Sequence, residues 1–263
     1  LINTNAAKAV NIQSSAVNTT FSSTTVTAST TGGVSLNNIN GSIDLGVLNI
    51  NTAGGEALAA DTVTSLDFSG STISNTMGAG LVLRNIALSN ASTGTITSYN
   101  SPASCLLIDD ISGQFDSTTV ECGNLTADAV VISATGSQTP IINLGDVSIG
   151  GRRQNGFVVD GLRGTLTTGT IVDNNGYSSD GYGVKVSNCP ANIVFGELNI
   201  SSSQGSASEN WMKGMPTTDG DGDAVFLKNN SGSITINGGL IVGNQGEGID
   251  ARNTKDLVLN GVE

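Results

Sequence analysis

The sequence predicts an all-β fold: one right-handed parallel β-helix of about ten coils, with about 24 residues per coil. Three observations predict it. A short motif opening on a small residue recurs at near-constant spacing, its apolar residues alternate with period two, and an Asn or Asp follows at a fixed offset.

The motif opens at Ala9, Gly33, Ala57, Gly80, Cys105, Ala129, Gly156, Gly183, Ala224 and Gly248. The intervals are 24, 24, 23, 25, 24, 27, 27, 41 and 24 residues. The first strand of each unit follows at once, with inward pairs such as Val10/Ile12, Val34/Leu36, Leu81/Leu83, Leu106/Ile108 and Val130/Ile132. Period-two alternation specifies a strand, not a helix. Five residues after the opening stands Asn38, Asn85, Asp110, Asn188, Asn229 or Asn253. Asn tolerates left-handed backbone and suits a corner. Stacked corners are expected to build a ladder of amides.

A second strand follows in several units, as at Ile43/Leu45, Phe115, Leu166, Ile193/Phe195 and Ile234/Ile236. A short third pair closes many units, as at Val47/Ile50, Val147/Ile149, Leu198/Ile200 and Leu240/Val242. Three strands and three corners make one coil, about 4.8 Å from its neighbour. The competing architecture is a β-sandwich. Its hairpins need Asn-Gly or Asp-Gly turns between antiparallel neighbours; here, like strands recur at coil spacing instead.

The 263 residues include 35 Gly and no His, and only 12% are charged. That composition suits a solenoid filled by Val, Ile, Leu and Ala. The net charge of −12, with few and scattered basic residues, argues against nucleic acid and against an anionic membrane surface. No apolar run is long enough to span a bilayer, so no membrane insertion of this segment is expected. Residues 1–263 read as a single β-helix segment with an insertion loop at 201–223. The start "LINTNAAK" and the end "DLVLNGVE" carry no amphipathic cap, which suggests a piece of a longer protein. Abundant Ser, Thr, Asn and Gly with little Lys points to an extracellular or cell-surface, bacterial setting. Cys105, Cys122 and Cys189 read first as small buried residues, with Cys105 and Cys122 placed to approach across a corner.

The outward position of the first strand runs Asn11, Ser35, Ala59, Val82, Leu107, Val131, Val158, Lys185, Phe226, Asp250. Val82, Leu107, Val131, Val158 and Phe226 form a candidate interface stripe, or express only the β-propensity of branched side chains. The next outward row includes Asp61, Asp109 and Asp160, each two coils apart. Their spacing of roughly 9–10 Å lies within the range of an inverting glycosidase pair. Solubilising charge is the commoner reason for such a row.

Relative to 24 residues, the coils opening at Ala129 and Gly156 each gain 3 and the coil at Gly183 gains 17. The excess is assigned to the third corner, in "GGRRQN", "NNGYSSDGY" and the 201–223 loop. Stacking would make these loops neighbours, gathering Arg152, Arg153, Tyr177, Tyr182, Trp211 and Lys213 as candidate partner-binding residues, with Tyr99 near the same corner. Aromatic and cationic side chains together suit a glycan or a protein partner. The long 201–223 loop would alternatively fold back to cover part of the apolar stripe. In "DGDGD", Asp219, Asp221 and Asp223 alternate with Gly and are candidate Ca²⁺ ligands. Asn230 stands where an EF-hand needs its closing Glu, and a solvated acidic turn explains the run equally simply.

In this coil pattern, from about residue 9 to 263, the chain resembles the pectate-lyase-like right-handed β-helix superfamily, closest in character to autotransporter and adhesin passenger segments. That superfamily also holds polysaccharide lyases, hydrolases and phage tailspikes, and fold does not select among them. The Gly-His-Gly segment of polygalacturonase-like members is absent, since the chain has no His. Arg84 and Arg252 lack the acidic calcium cluster of pectate-lyase-like members. An ordered row of outward Thr, as ice binding requires, is also missing. Three readings follow: a non-enzymatic surface rod, a self-assembling layer, sheath or filament subunit in which the chain forms a homo-oligomer, and a polysaccharide-active or tailspike-type protein.

Overall fold

The computed structural model describes residues 2–4, 7–52, 54–75, 77–151, 154–174, 181–201, 223–242 and 248–263. Among them there is no helix, and every strand pairing is parallel. The chain winds as a β-solenoid of about 9 turns, roughly 24 residues apart.

Each level has three faces. The first runs from Val10 through Val34, Leu58, Leu81, Leu106, Val130, Phe157, Val184 and Val225 to Ile249, an unbroken series of in-register pairs. The second joins Ile43, Leu66 and, farther along, Phe115, Ile142, Leu166, Ile193, Ile234 and Leu257. The third joins Val26, Ile50, Ile73, Ile96, Val120, Val147, Ile171 and Leu198. In the first half single strands, such as Val34–Thr52 and Leu81–Tyr99, run on past the corner residues.

The inward side chains stack level upon level into one core. Phe68, Phe115, Phe157 and Phe195 are fully buried, and Phe157 meets Phe195 edge to face at 6.0 Å. Each such side chain contributes about 1.5–3 kcal/mol by leaving water. This repeated burial offsets the entropy of ordering each coil, which no coil achieves alone.

The corner row takes the left-handed backbone its Asn residues favour. Asn38, Asn85, Asp110, Asn188, Asn229 and Asn253 all have φ between 48° and 57°. Ser14 and Thr62 join them, Gly161 has φ 70°, and Ala134 does not take this form. The amide ladder is continuous only at one end: Asn188 Nδ2 donates to Asp160 at 2.8 Å, Asn229 to Asn188 at 3.5 Å and Asn253 to Asn229 at 3.2 Å. A second short ladder joins Asn124 to Asn100 at the third corner.

The placement of the extra residues differs from the expectation in one coil. In the coil opening at Ala129, the first strand ends at Ser133 and the second begins at Ile141. Its added residues therefore lie at the first corner, within 134–140, and not at the third. There Asp110 of the preceding level holds them, accepting from the Thr135 and Gly136 amides at 2.7 Å and from the Thr135 hydroxyl. The third corner of that coil, 151–156, is as long as the one before it, 124–129. The other two excursions do leave the third corner, after Asn174 and after Ser201.

All three cysteines are buried free thiols. Among the described residues, no helix is long and apolar enough to cross a membrane.

Candidate functional site

The third corner is laced from level to level by the residues that precede each opening residue. Asn155 donates to Asp128 through both its backbone amide and Nδ2, at 2.8 Å each. The Tyr182 amide donates to Asn155 Oδ1 at 2.9 Å. The Gly183 amide in turn reaches the Asp223 carbonyl at 3.4 Å. Tyr182 is thus held at a fixed height beside the first face.

Its ring lies parallel to Phe226, with centroids 4.7 Å apart and planes 14° from parallel. Lys185 Nζ sits 5.7 Å from the Tyr182 centroid, and Arg252 Cζ 5.4 Å from that of Phe226. Arg252 is fixed by a two-point pair with Asp250, Nε to Oδ1 at 3.1 Å and Nη2 to Oδ2 at 2.5 Å. Each ring of the pair thus has a cation near it as well as its aromatic partner. The pair adds about 0.5–1.5 kcal/mol beyond its burial, and each cation about 0.5–1 kcal/mol where exposed.

Tyr182 and Phe226 are both buried, at 9% and 4% exposure. At this level Tyr182, at the end of the 174–182 loop, covers Phe226 of the outward row. The interface stripe is one in-register row, Ala59 to Val82, Leu107, Val131 and Val158. Its side chains are recessed: Val82 and Val158 are buried, while Leu107 and Val131 are half-buried. Flat in-register packing covers their flanks and leaves the tips.

Arg152, Arg153, Tyr177, Trp211, Lys213, Asp219 and Asp221 lie outside the described residues. Asp223 is described and buried. Among the described residues, no group of three Cys, Asp or Glu side chains is arranged to hold a metal ion. Among the described residues of this corner Tyr99 is an exposed aromatic, and its hydroxyl donates to Glu121 at 3.2 Å. Its ring lies over Gly123, where a Cβ would come 2.6 Å from Tyr99 Cδ1.

The acidic row is engaged with its neighbours. Asp61 faces Arg84 in register, Asp109 accepts from Ser133 at 2.7 Å, and Asp160 accepts from Ser187 and Asn188 at 2.8 Å. These carboxylates brace adjacent levels.

The two excursions share one stem. Asn174 and Ser201, where they leave, are paired across levels, and the Ser201 hydroxyl donates to Asn174 at 3.0 Å. Where they return, Gly183 and Asp223 are hydrogen-bonded. No protein-family model, curated protein or solved structure matches the chain.

The Tyr182–Phe226 stack escaped the sequence reading, although both residues were named in it. The available signal was an aromatic directly before a strand-opening Gly, next to an aromatic in the outward row one level on.

Proposed function

We propose that this chain is a non-enzymatic rod of an extracellular or surface-attached bacterial protein, and that it presents its third-corner excursions to a glycan or protein partner. The shared stem carries the reading. The two excursions leave from paired residues, Asn174 and Ser201, and return at hydrogen-bonded ones, Gly183 and Asp223. Rigid scaffolds with loops on one side are where recognition is commonly placed. The engaged acidic row favours this over hydrolysis, because Asp109 and Asp160 already serve as acceptors for Ser133, Ser187 and Asn188.

Replacing 202–222 by a short Gly-Ser link tests it on a glycan array and a panel of extracellular proteins. Loss of binding with unchanged β-sheet circular dichroism supports the reading. Retained binding removes it.

Assembly is a second reading, favoured by the order of residues along the first face. A two-fold axis across that face, between the Leu107 and Val131 levels, would set Val82 of one copy opposite Val158 of the other. Arg84 would then face Asp160, so apolar meets apolar and cation meets anion, as a self-complementary interface requires. Leu107→Lys with Val131→Lys should then give a smaller species in sedimentation equilibrium. Unchanged mass retires this reading.

A further inference from the structure

We propose that the second corner carries a binding groove for a neutral, linear oligosaccharide, independent of the third-corner loops. The groove encloses about 510 Å³ and crosses five levels, from Gly70 to Gly169. One wall is a polar rail with one side chain per level: Ser92, Asp116, Asn143 and Thr167 stand in register. Asp116 holds that rail upright, accepting from Asn143 Nδ2 at 2.7 Å and from Gln114 Nε2 at 2.8 Å.

The groove stays open because successive levels approach too closely at the corner for side chains. A Cβ at Gly145 would lie 1.9 Å from the Thr118 carbonyl, and one at Gly169 2.6 Å from Asp146 Oδ1.

A separate observation points to an occupant. Thr93, in the wall of the groove, is 5% exposed, and its hydroxyl oxygen is buried without a hydrogen-bond partner. Its stacked counterparts are satisfied: Ser117 donates to the Thr119 carbonyl at 3.2 Å and Thr168 to the Gly169 carbonyl at 3.0 Å. Buried hydroxyls normally find a partner. An oxygen-rich occupant meets that demand after a rotation of Thr93 about χ1, which moves its hydroxyl between staggered positions.

The lining selects the class of ligand. It offers hydroxyl and amide groups, a single carboxylate in Asp116 and no cation, so it repels a polyanion such as a polyuronate. Leu144 is its only large apolar residue, which gives a lipid or a hydrophobic peptide little to hold. The rail repeats every ~4.8 Å, close to the advance of one pyranose in an extended β-1,4 chain. One ring then meets one rung.

The test is amide NMR of the full chain titrated with cellohexaose, with hexagalacturonate as the anionic arm. Cellohexaose should shift the Gly94, Gly145 and Gly169 amides, and hexagalacturonate should not. Thr93→Val should weaken binding about tenfold, while Thr93→Ser keeps it. Asn143→Trp, which fills the groove, should abolish it. If Asn143→Trp fails to fold, Thr93→Val decides alone, since it deletes only the unpartnered hydroxyl. Absence of shifts with cellohexaose overturns the site, as does affinity unchanged in Thr93→Val, which would leave a bound water only. Equal binding of hexagalacturonate overturns the ligand class. Removal of 202–222 should leave this binding intact, so failure here and failure of the loop reading are distinguishable.

Discussion

Tyr182 lies flat on Phe226, 4.7 Å away, although the two belong to successive levels and are far apart in sequence. The stack joins the return of one third-corner excursion to the outward row of the next level. Phe226→Ala should therefore cost about 3 kcal/mol, as loss of a buried aromatic does. Lys185→Ala should cost under about 1 kcal/mol. Urea unfolding followed by circular dichroism measures both; equal costs would mean that the stack adds nothing.

Two carboxylates should respond to acid with opposite signs. Hydrogen bonds from the Thr135 side chain and then the Gly136 amide hold Asp110 below its ordinary 3.8. Its stabilising contribution is complete above pH 3.8 and fades as pH falls through the lowered folded value. Burial, and then the neighbouring charge of Asp44, raise Asp67. Its ionised form opposes folding at neutral pH, and that penalty disappears as pH falls below 3.8. Asp110→Ala should lower the melting temperature at pH 7 and Asp67→Asn should raise it. Both differences should shrink towards pH 3, and a shift of the same sign for both would refute the assignment.

The thiols should be silent until the rod opens. Burial pushes Cys189 up to about 11 and raises Cys122 well above its usual value, with a further rise from the neighbouring Cys105 thiol. At pH 8 an aromatic disulfide reagent should find no reactive thiol in the folded protein and three in denaturant. Rapid native reaction would contradict their burial. A single thiol after unfolding would mean that Cys105 and Cys122 are joined.

Gly113→Ala should be among the most damaging small changes. Gly113 has φ 85°, and an added Cβ would stand 2.0 Å from the Leu88 carbonyl. Strain and steric conflict together should cost at least about 2 kcal/mol. A melting temperature matching wild type would show that the corner relaxes.

Without ligand, Thr93→Val should stabilise by about 1 kcal/mol, because it removes a buried hydroxyl that lacks a partner. Destabilisation would reveal a partner for that hydroxyl.

The walls of the solenoid were legible in the sequence because their chemistry repeats. Inward pairs such as Leu81/Leu83 and left-handed corners such as Asn188 report directly on strand and turn. The location of added length was not legible. The interval from Ala129 to Gly156 fixes how many residues a coil has, and not which corner takes them; Asp110, one level earlier, captures Thr135 and Gly136 at the first corner. Complete ladders were overestimated, because Ser14 and Thr62 occupy left-handed corners with shorter side chains. The groove beside Asp116 and Asn143 was hidden for another reason. It arises from side chains that are missing at Gly145 and Gly169, and no pattern of apolar residues marks an absence.

Among the described residues each level is bonded only to those directly above and below, so mechanical load along the rod passes from one level to the next. Pulled from its two ends, the protein should yield one rung after another, in a series of small, similar force peaks and not in one rupture. The level that carries the longest excursion would release the greatest extra length when it lets go.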